Sequence, residues 1–204
     1  MKPDYSFEEA AHARGFNRIA GVDEVGRGPL AGPVTAAAVV LDPARIPDGL
    51  NDSKKLSRKR REFLHAMILA VADVSVAHAS VEEIEEHNIL RASHIAMVRA
   101  LEGLKTPPDY CLIDGTMKPR GLALPVETII GGDARSVSIS AASIMAKICR
   151  DYVMLSLAQQ HPGYGWETNM GYGSKSHMLA LQSLGVTPHH RRTFKPVHKM
   201  LWQE

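Results

Sequence analysis

An α/β fold with a mixed central sheet flanked by helices is what this sequence predicts, and three observations predict it. Two runs rich in Ala, Val and Ile, residues 18–22 and 34–41, are separated only by Gly- and Pro-rich turn residues. Beyond them, short apolar strands alternate with segments of helical periodicity, the pattern of helices layered on a sheet. Three of the strands reach an acid at or just past their ends, namely Asp23-Glu24, Asp114 and Asp133. Open α/β sheets place their ligand sites at such ends.

The elements follow in order. Residues 6–14 read as a short helix, and 18–22 and 34–41 as the first two strands, the second ended by Asp42-Pro43. Residues 51–56 are a loop, and Ser57 is an N-cap for a helix to about residue 72. Residues 74–79 alternate as a third strand. Residues 81–104 are helical with a break near Asn88, and Pro107-Pro108 follows. Two more strands, 110–113 and 126–130, run into Asp114-Gly115 and Gly131-Gly132-Asp133. Residues 137–160 form a long helix with many small side chains. A loop over 161–172, a helix over 174–184 and a basic tail from Gly185 complete the chain.

The 204 residues are 45% hydrophobic, enough for one substantial core. A net charge of +2 is only mildly basic, so distribution matters more than total. Cys111 and Cys149 lie in apolar surroundings, as reduced thiols of a cytoplasmic protein would, and no Cys-x-x-Cys supports a zinc ribbon. Residues 1–14 lack the basic start and apolar stretch of a secretion signal. No apolar run approaches membrane-spanning length. The expected protein is a cytoplasmic monomer with no membrane partner.

Asp23 and Glu24 are followed at once by Val25-Gly26-Arg27-Gly28-Pro29-Leu30-Ala31-Gly32-Pro33. Adjacent carboxylates repel, and a hard divalent cation reverses that cost, because Mg²⁺ prefers carboxylate oxygens together with substrate phosphates. Glycines let backbone N–H groups come close to a ligand. The pair and the loop therefore suit a metal-dependent site for a phosphodiester, with two cations stabilising the attacking water and the leaving 3′-oxygen. If the acidic strand ends converge, four carboxylates share one pocket, and a metal pair removes the mutual pKa elevation of a bare cluster. Gly26-Arg27-Gly28 lacks the Gly-Lys-Ser/Thr ending of a phosphate-binding P-loop.

Lys54, Lys55, Arg58, Lys59, Arg60 and Arg61 crowd the start of the helix at Ser57. Cations there oppose the helix dipole, so they call for an external anion such as backbone phosphate, the alternative being a solvated helix face. Tyr172, between two glycines, is either half packed on the core or free to stack on a base. Lys147 lies one turn past Ser143, placed to balance the acids or to touch phosphate. Glu127 and Asp151 read as structural. His189-His190 and the other histidines form no His-Glu-x-x-His and read as surface or core. With no evident His–His acid–base pair, water is the expected nucleophile, leaving 3′-hydroxyl and 5′-phosphate ends.

These residues, in this order, resemble ribonuclease HII, the bacterial type 2 ribonuclease H, over nearly the whole chain. The resemblance is carried by Gly21 through Pro33, Asp52-Ser53-Lys54-Lys55-Leu56-Ser57, Ile113-Asp114-Gly115 and Gly132-Asp133. It continues through Ala141 to Lys147, Arg150-Asp151, Gly171-Tyr172-Gly173 with His177, and Gly185 through Phe194. Ser140, Ser174 and Thr193 depart from the family pattern, where alanine, threonine and serine are expected. Arg27 stands where the related HIII enzymes carry lysine.

The resemblance implies a ribonuclease H-like fold with a small helical C-terminal region. It implies a catalytic core over 1–160 and a helical region over 161–204, apart or within one domain. It implies endonucleolytic cleavage of RNA in RNA–DNA hybrids and of single ribonucleotides in duplex DNA, with Mg²⁺ or Mn²⁺ held by the catalytic carboxylates Asp23, Glu24, Asp114 and Asp133. Gly26, Arg27 and Gly28 would read the ribose 2′-hydroxyl and Tyr172 would stack beside the junction, with Lys54, Lys55, Arg58 and Lys147 along the nucleic acid. Three rival readings remain: a DNA-directed nuclease on the same fold, a non-catalytic hybrid-binding module, and a phosphate-binding small-molecule enzyme. A duplex with one embedded ribonucleotide, assayed with Mg²⁺, Mn²⁺ and EDTA, separates them.

Overall fold

The computed structural model describes residues 2–202. Five strands form one sheet: β1 (Ile19–Val25), β2 (Val34–Val40), β3 (Asp73–Ala79), β4 (Tyr110–Asp114) and β5 (Val126–Ile129). Their order is β3-β2-β1-β4-β5. The β1–β2 and β2–β3 pairs are antiparallel, and the β1–β4 and β4–β5 pairs are parallel, so the sheet is mixed.

Both faces of the sheet are covered, which is why β2 is buried at every position. Ala36 and Ala38 pack against α3 (Val81–Glu102), whose Ala92, Ala96 and Ala100 recur every four residues and let the helix lie close. Ala37 and Val39 face the other way, against α4 (Val137–Gln160) and Leu64 and Ile68 of α2 (Arg58–Val71). Val39, Leu64 and Ile68 each contribute about 1.5–3 kcal/mol by burial. α4 crosses β1 at Gly21, where a Cβ would sit 2.2 Å from the Ser138 carbonyl carbon. The N-terminus of α4 is held by the buried Glu8 of α1 (Ser6–Ala13), which accepts from the Ser136 hydroxyl at 2.6 Å and the Ser138 amide at 3.0 Å. A carboxylate there complements the helix dipole.

Local signals account for most boundaries. Ser57 caps α2 through the Arg60 amide, and Ser80 with Glu83 forms a capping box on α3. The predicted break at Asn88 is present: its φ is 65°, and its side chain recaps the second half of α3 by accepting from the Leu90 and Arg91 amides.

The structure corrects the sequence reading in three places. β1 runs to Val25 rather than to residue 22, because its ladder with β2 continues through Asp23, Glu24 and Val25. The 161–172 loop contains a short helix, α5 (Trp166–Asn169), and the basic tail contains α7 (Lys195–Leu201) after α6 (Lys175–Leu184). Both additions are made by packing. Trp166 and Val197 are fully buried with Leu30, Ala31 and Met154, joining the C-terminal segment to the loop after β1.

Candidate active site

The acids are positioned by sheet register. Val22 of β1 pairs with Ile113 of β4, so the next residues, Asp23 and Asp114, stand beside one another where the parallel ladder and β4 end, while β1 runs on along β2. Asp23 is 5% exposed and Asp133 6%. Glu24, next in β1, projects from the opposite face. Asp133 sits in a 3₁₀ turn (Gly132–Ala134) past β5, and that turn is tied to β4 by the Gly132 amide donating to Asp114 Oδ1 at 2.7 Å. Ser140, where the family pattern expects alanine, is buried and donates to the Asp133 carbonyl. Its hydroxyl anchors the same turn to α4.

Burial and neighbouring charge raise three of the four carboxylates. Burial pushes Asp23 well above the usual carboxylate range, and Glu24, Asp114 and Asp133 push it further, while the Ser143 hydroxyl opposes them. Glu24 is raised by burial, with Arg27 pulling back and Asp114 adding to the rise. Asp133 is raised by burial and then by Asp52 and Asp114, against Lys54. Asp52, a fifth acid near the corner, was not singled out in the sequence. Its side chain caps the Ser53–Lys55 turn by accepting from the Lys54 amide, and Asp-Ser-Lys-Lys was the only signal for it.

Two of the acids already have cationic partners. Glu24 pairs with Arg27 at 3.3 Å and Asp133 with Lys54 at 3.4 Å. In this arrangement, among the described residues, no three His, Cys, Asp or Glu side chains gather round one point closely enough to hold an ion. The donor chemistry nevertheless fits a hard divalent cation. All four donors are carboxylates, three of them, Asp23, Glu24 and Asp133, are raised by burial and neighbouring acids, and a cleft of about 210 Å³ opens over Glu24, Arg27 and Asp114.

The basic cluster is split. Lys54, Lys55 and Lys59 are exposed. Arg58 pairs with Glu62 at 2.9 Å, Arg60 donates to the Asp48 carbonyl, and Arg61 donates to the carbonyls of Ser53 and Leu56. Half of the cluster thus serves the helix start that it crowds. Lys147 pairs with Asp151 one turn on, at 2.7 Å. Glu127 accepts from Arg14 and the Tyr110 hydroxyl.

Gly26, Arg27 and Gly28 leave β1 as an open loop. Tyr172, 46% exposed, stands beside Gly28: a Cβ on that glycine would lie 3.5 Å from the tyrosine ring. Beneath Tyr172, His177 and His190 are fully buried. His177 Nδ1 meets the Tyr172 carbonyl at 2.9 Å, and its Nε2 lies 3.1 Å from His190 Nε2. Arg191, in what reads from the sequence as a basic tail, is also fully buried, against this loop. One arginine of the Arg191-Arg192 pair carries no local signal of burial. Cys111 and Cys149 are both free, and no helix among the described residues is long and apolar enough to cross a membrane.

The family model for ribonuclease HII matches residues 20–204. The ribonuclease HII of Roseobacter denitrificans is 71% identical over 192 residues, spanning 94% of this chain and 97% of that one. The crystal structure of the ribonuclease H2 from Pyrococcus horikoshii OT3 has a TM-score of 0.76 at 28% identity, covering 90% of this chain and 97% of that one. Bst-RNase HIII, solved in complex with Mn²⁺, shares the fold, with a TM-score of 0.74 at 19% identity over 94% of this chain and 71% of that one. The matched span takes in the acidic corner, the glycine loop and the C-terminal segment packed beneath it, and the chain belongs to the ribonuclease HII family, metal-dependent hydrolases that cleave RNA in RNA–DNA hybrids.

Proposed function

We propose that this enzyme acts on single ribonucleotides embedded in duplex DNA as well as on longer hybrids, by a two-metal reaction at the corner of β1 and β4. The observation that best supports this reading is the burial of Asp23 among Glu24, Asp114 and Asp133, a repulsion that an added cation relieves. Mg²⁺ or Mn²⁺, when bound, supplies Lewis-acid charge at the scissile phosphate and a hydroxide-like nucleophile from water at neutral pH. Asp23 and Asp114, fixed by neighbouring strands, form the centre of the donor set. Glu24 and Asp133, now paired with Arg27 and Lys54, would complete it on leaving those partners, and the two cations would then be available to phosphate.

Gly26, Arg27 and Gly28 read the 2′-hydroxyl with backbone groups, and Tyr172 stacks beside them. Lys55, with no ion-pair partner among the described residues, follows the phosphate backbone directly, whereas Lys54, Arg58 and Lys147 reach it only by leaving Asp133, Glu62 and Asp151. The paired imidazoles of His177 and His190 are buried and hydrogen-bonded, so they do not serve a 2′-hydroxyl attack. Water attacks, and the products carry 3′-hydroxyl and 5′-phosphate ends. The protein works as a cytoplasmic monomer.

The test is an end-labelled duplex with one ribonucleotide, incubated with Mg²⁺, Mn²⁺ or EDTA. Cleavage at the ribonucleotide, dependent on either cation and leaving a 3′-hydroxyl, is expected. A 2′,3′-cyclic phosphate, or equal cleavage of the all-DNA duplex, would refute the reading.

A further inference from the structure

We propose that Arg191 is the positioning residue that makes the Gly26-Arg27-Gly28 loop able to tell ribose from deoxyribose. The proposal rests on the reading that this loop meets the substrate. Arg191 is 0% exposed. Its guanidinium donates to the Gly26 carbonyl at 2.6 Å, to the Arg27 carbonyl at 3.0 Å, and twice to the Gly32 carbonyl at 2.8 and 3.0 Å. Its own amide donates to the Leu30 carbonyl at 2.8 Å. Arg150, equally buried, holds the carbonyls of Ala31, Pro33 and Met170. Among the described residues, neither arginine has a carboxylate within ion-pair distance.

A buried cation is costly unless it is fully hydrogen-bonded, and an apolar side chain of similar volume would avoid that cost. What the guanidinium achieves is an orientation of the loop. The peptide bonds here are trans, so each carbonyl points opposite to the N–H that follows it. Drawing the Gly26 and Arg27 carbonyls inward turns the Arg27 and Gly28 amides outward. Among the described residues, no protein group accepts from either amide. Two successive outward amides above a buried positive charge form a concavity for a lone-pair-bearing oxygen.

Tyr172 walls this concavity on the Gly28 side. Gly26 makes the wrap possible: its φ is +93°, and a Cβ there would lie 2.2 Å from Arg150 Nε. A 2′-hydroxyl accepts from both amides. A deoxyribose in its place excludes water and leaves the amides without a partner, and it is that penalty which discriminates.

The test compares Arg191→Lys with Arg150→Lys in the full chain. Three quantities are measured: melting temperature, kcat/KM on a duplex with one ribonucleotide, and the binding ratio of that duplex over the all-DNA duplex in EDTA. Arg191→Lys keeps one charge but offers a single nitrogen in place of the three that reach the Gly26, Arg27 and Gly32 carbonyls. It is expected to lower the ribonucleotide preference about tenfold, with kcat/KM falling in parallel. Arg150→Lys, which leaves the Gly26 and Arg27 carbonyls held, is expected to melt earlier with the preference unchanged. An unaltered preference in Arg191→Lys, or an equal loss in Arg150→Lys, overturns the proposal.

If Arg191→Lys does not fold, ¹⁵N spectra of the wild-type protein decide. The Arg27 and Gly28 amide signals should move with the ribonucleotide duplex and not with the all-DNA duplex. Movement with both, or with neither, overturns the proposal. Failure of the underlying reading looks different, because the wild-type protein would then show no ribonucleotide preference at all, which overturns both.

Discussion

The acidic corner and the glycine loop meet at the end of β1 and treat buried charge in opposite ways. At the corner, burial and neighbouring carboxylates raise Asp23, Glu24 and Asp133, and the cations that offset them, Arg27 and Lys54, stand in partly open positions. Behind the loop, Arg191 and Arg150 are wholly buried, yet backbone carbonyls surround them. Charge behind the loop is settled within the fold by backbone carbonyls, so the loop needs no added ion to hold its shape. Charge at the corner is not, and a partner of opposite sign is what it lacks. Binding and chemistry should therefore separate under mutation.

The largest effect expected is that of Asp23→Asn. Cleavage of hybrids should fall roughly a thousandfold while hybrid binding persists. The wild-type melting temperature should rise with Mg²⁺ and that of the variant should not, because the repulsion relieved by the ion is gone. A variant that cleaves normally would erase the distinction between the two regions. Tyr172→Ala comes next. Loss of a stacking partner worth about 1–3 kcal/mol should weaken binding of the ribonucleotide duplex tenfold or more, with a smaller change in kcat. Tyr172→Phe should behave like wild type. An effect on kcat alone would place Tyr172 with the chemistry instead.

Smaller again is Lys55→Ala combined with Lys59→Ala. Each lost phosphate contact should reduce the slope of log affinity against log salt by about one. The deficit should therefore be greatest at low salt. Arg58→Ala alone should do less, since Glu62 already holds that charge. A titration of hybrid affinity against KCl reads both.

A further prediction, on stability rather than on substrate, tests the support beneath Tyr172. Burial, reinforced by His177, pushes His190 down to about 3 from an ordinary 6.5. The unfolded chain thus binds the proton first, and stability is lost as pH falls through that window, by at most about 1.4 kcal/mol per pH unit. Urea melts of wild type and His190→Gln between pH 7 and 4 should show the dependence flattened in the variant. Parallel curves would remove His190 from the account.

Much of the fold could be read before any coordinates. The break at Asn88 was legible because an Asn side chain competes locally for backbone amides. The bounds of α4 were legible because a cap at Ser136 and a long run of helix-compatible small residues agree. The end of β1 was not, since Asp23 and Glu24 are poor strand formers and only the ladder to β2 keeps them extended. α5 and α7 were missed for a related reason: four and seven residues are too few to be helical by propensity, and Trp166 and Val197 are held by distant side chains.

The acidic pair, the glycine loop and the later aspartates were available from the residues alone, because carboxylate chemistry and glycine's backbone freedom are local properties. So was the family, because ordered short motifs specify it. Which acids stand side by side, which cations are already spoken for, and which arginine lies beneath the loop required the folded chain. Those are facts of register and burial, made by contacts across as many as 165 positions of sequence, such as Arg191 to Gly26. Local sequence carries no record of them.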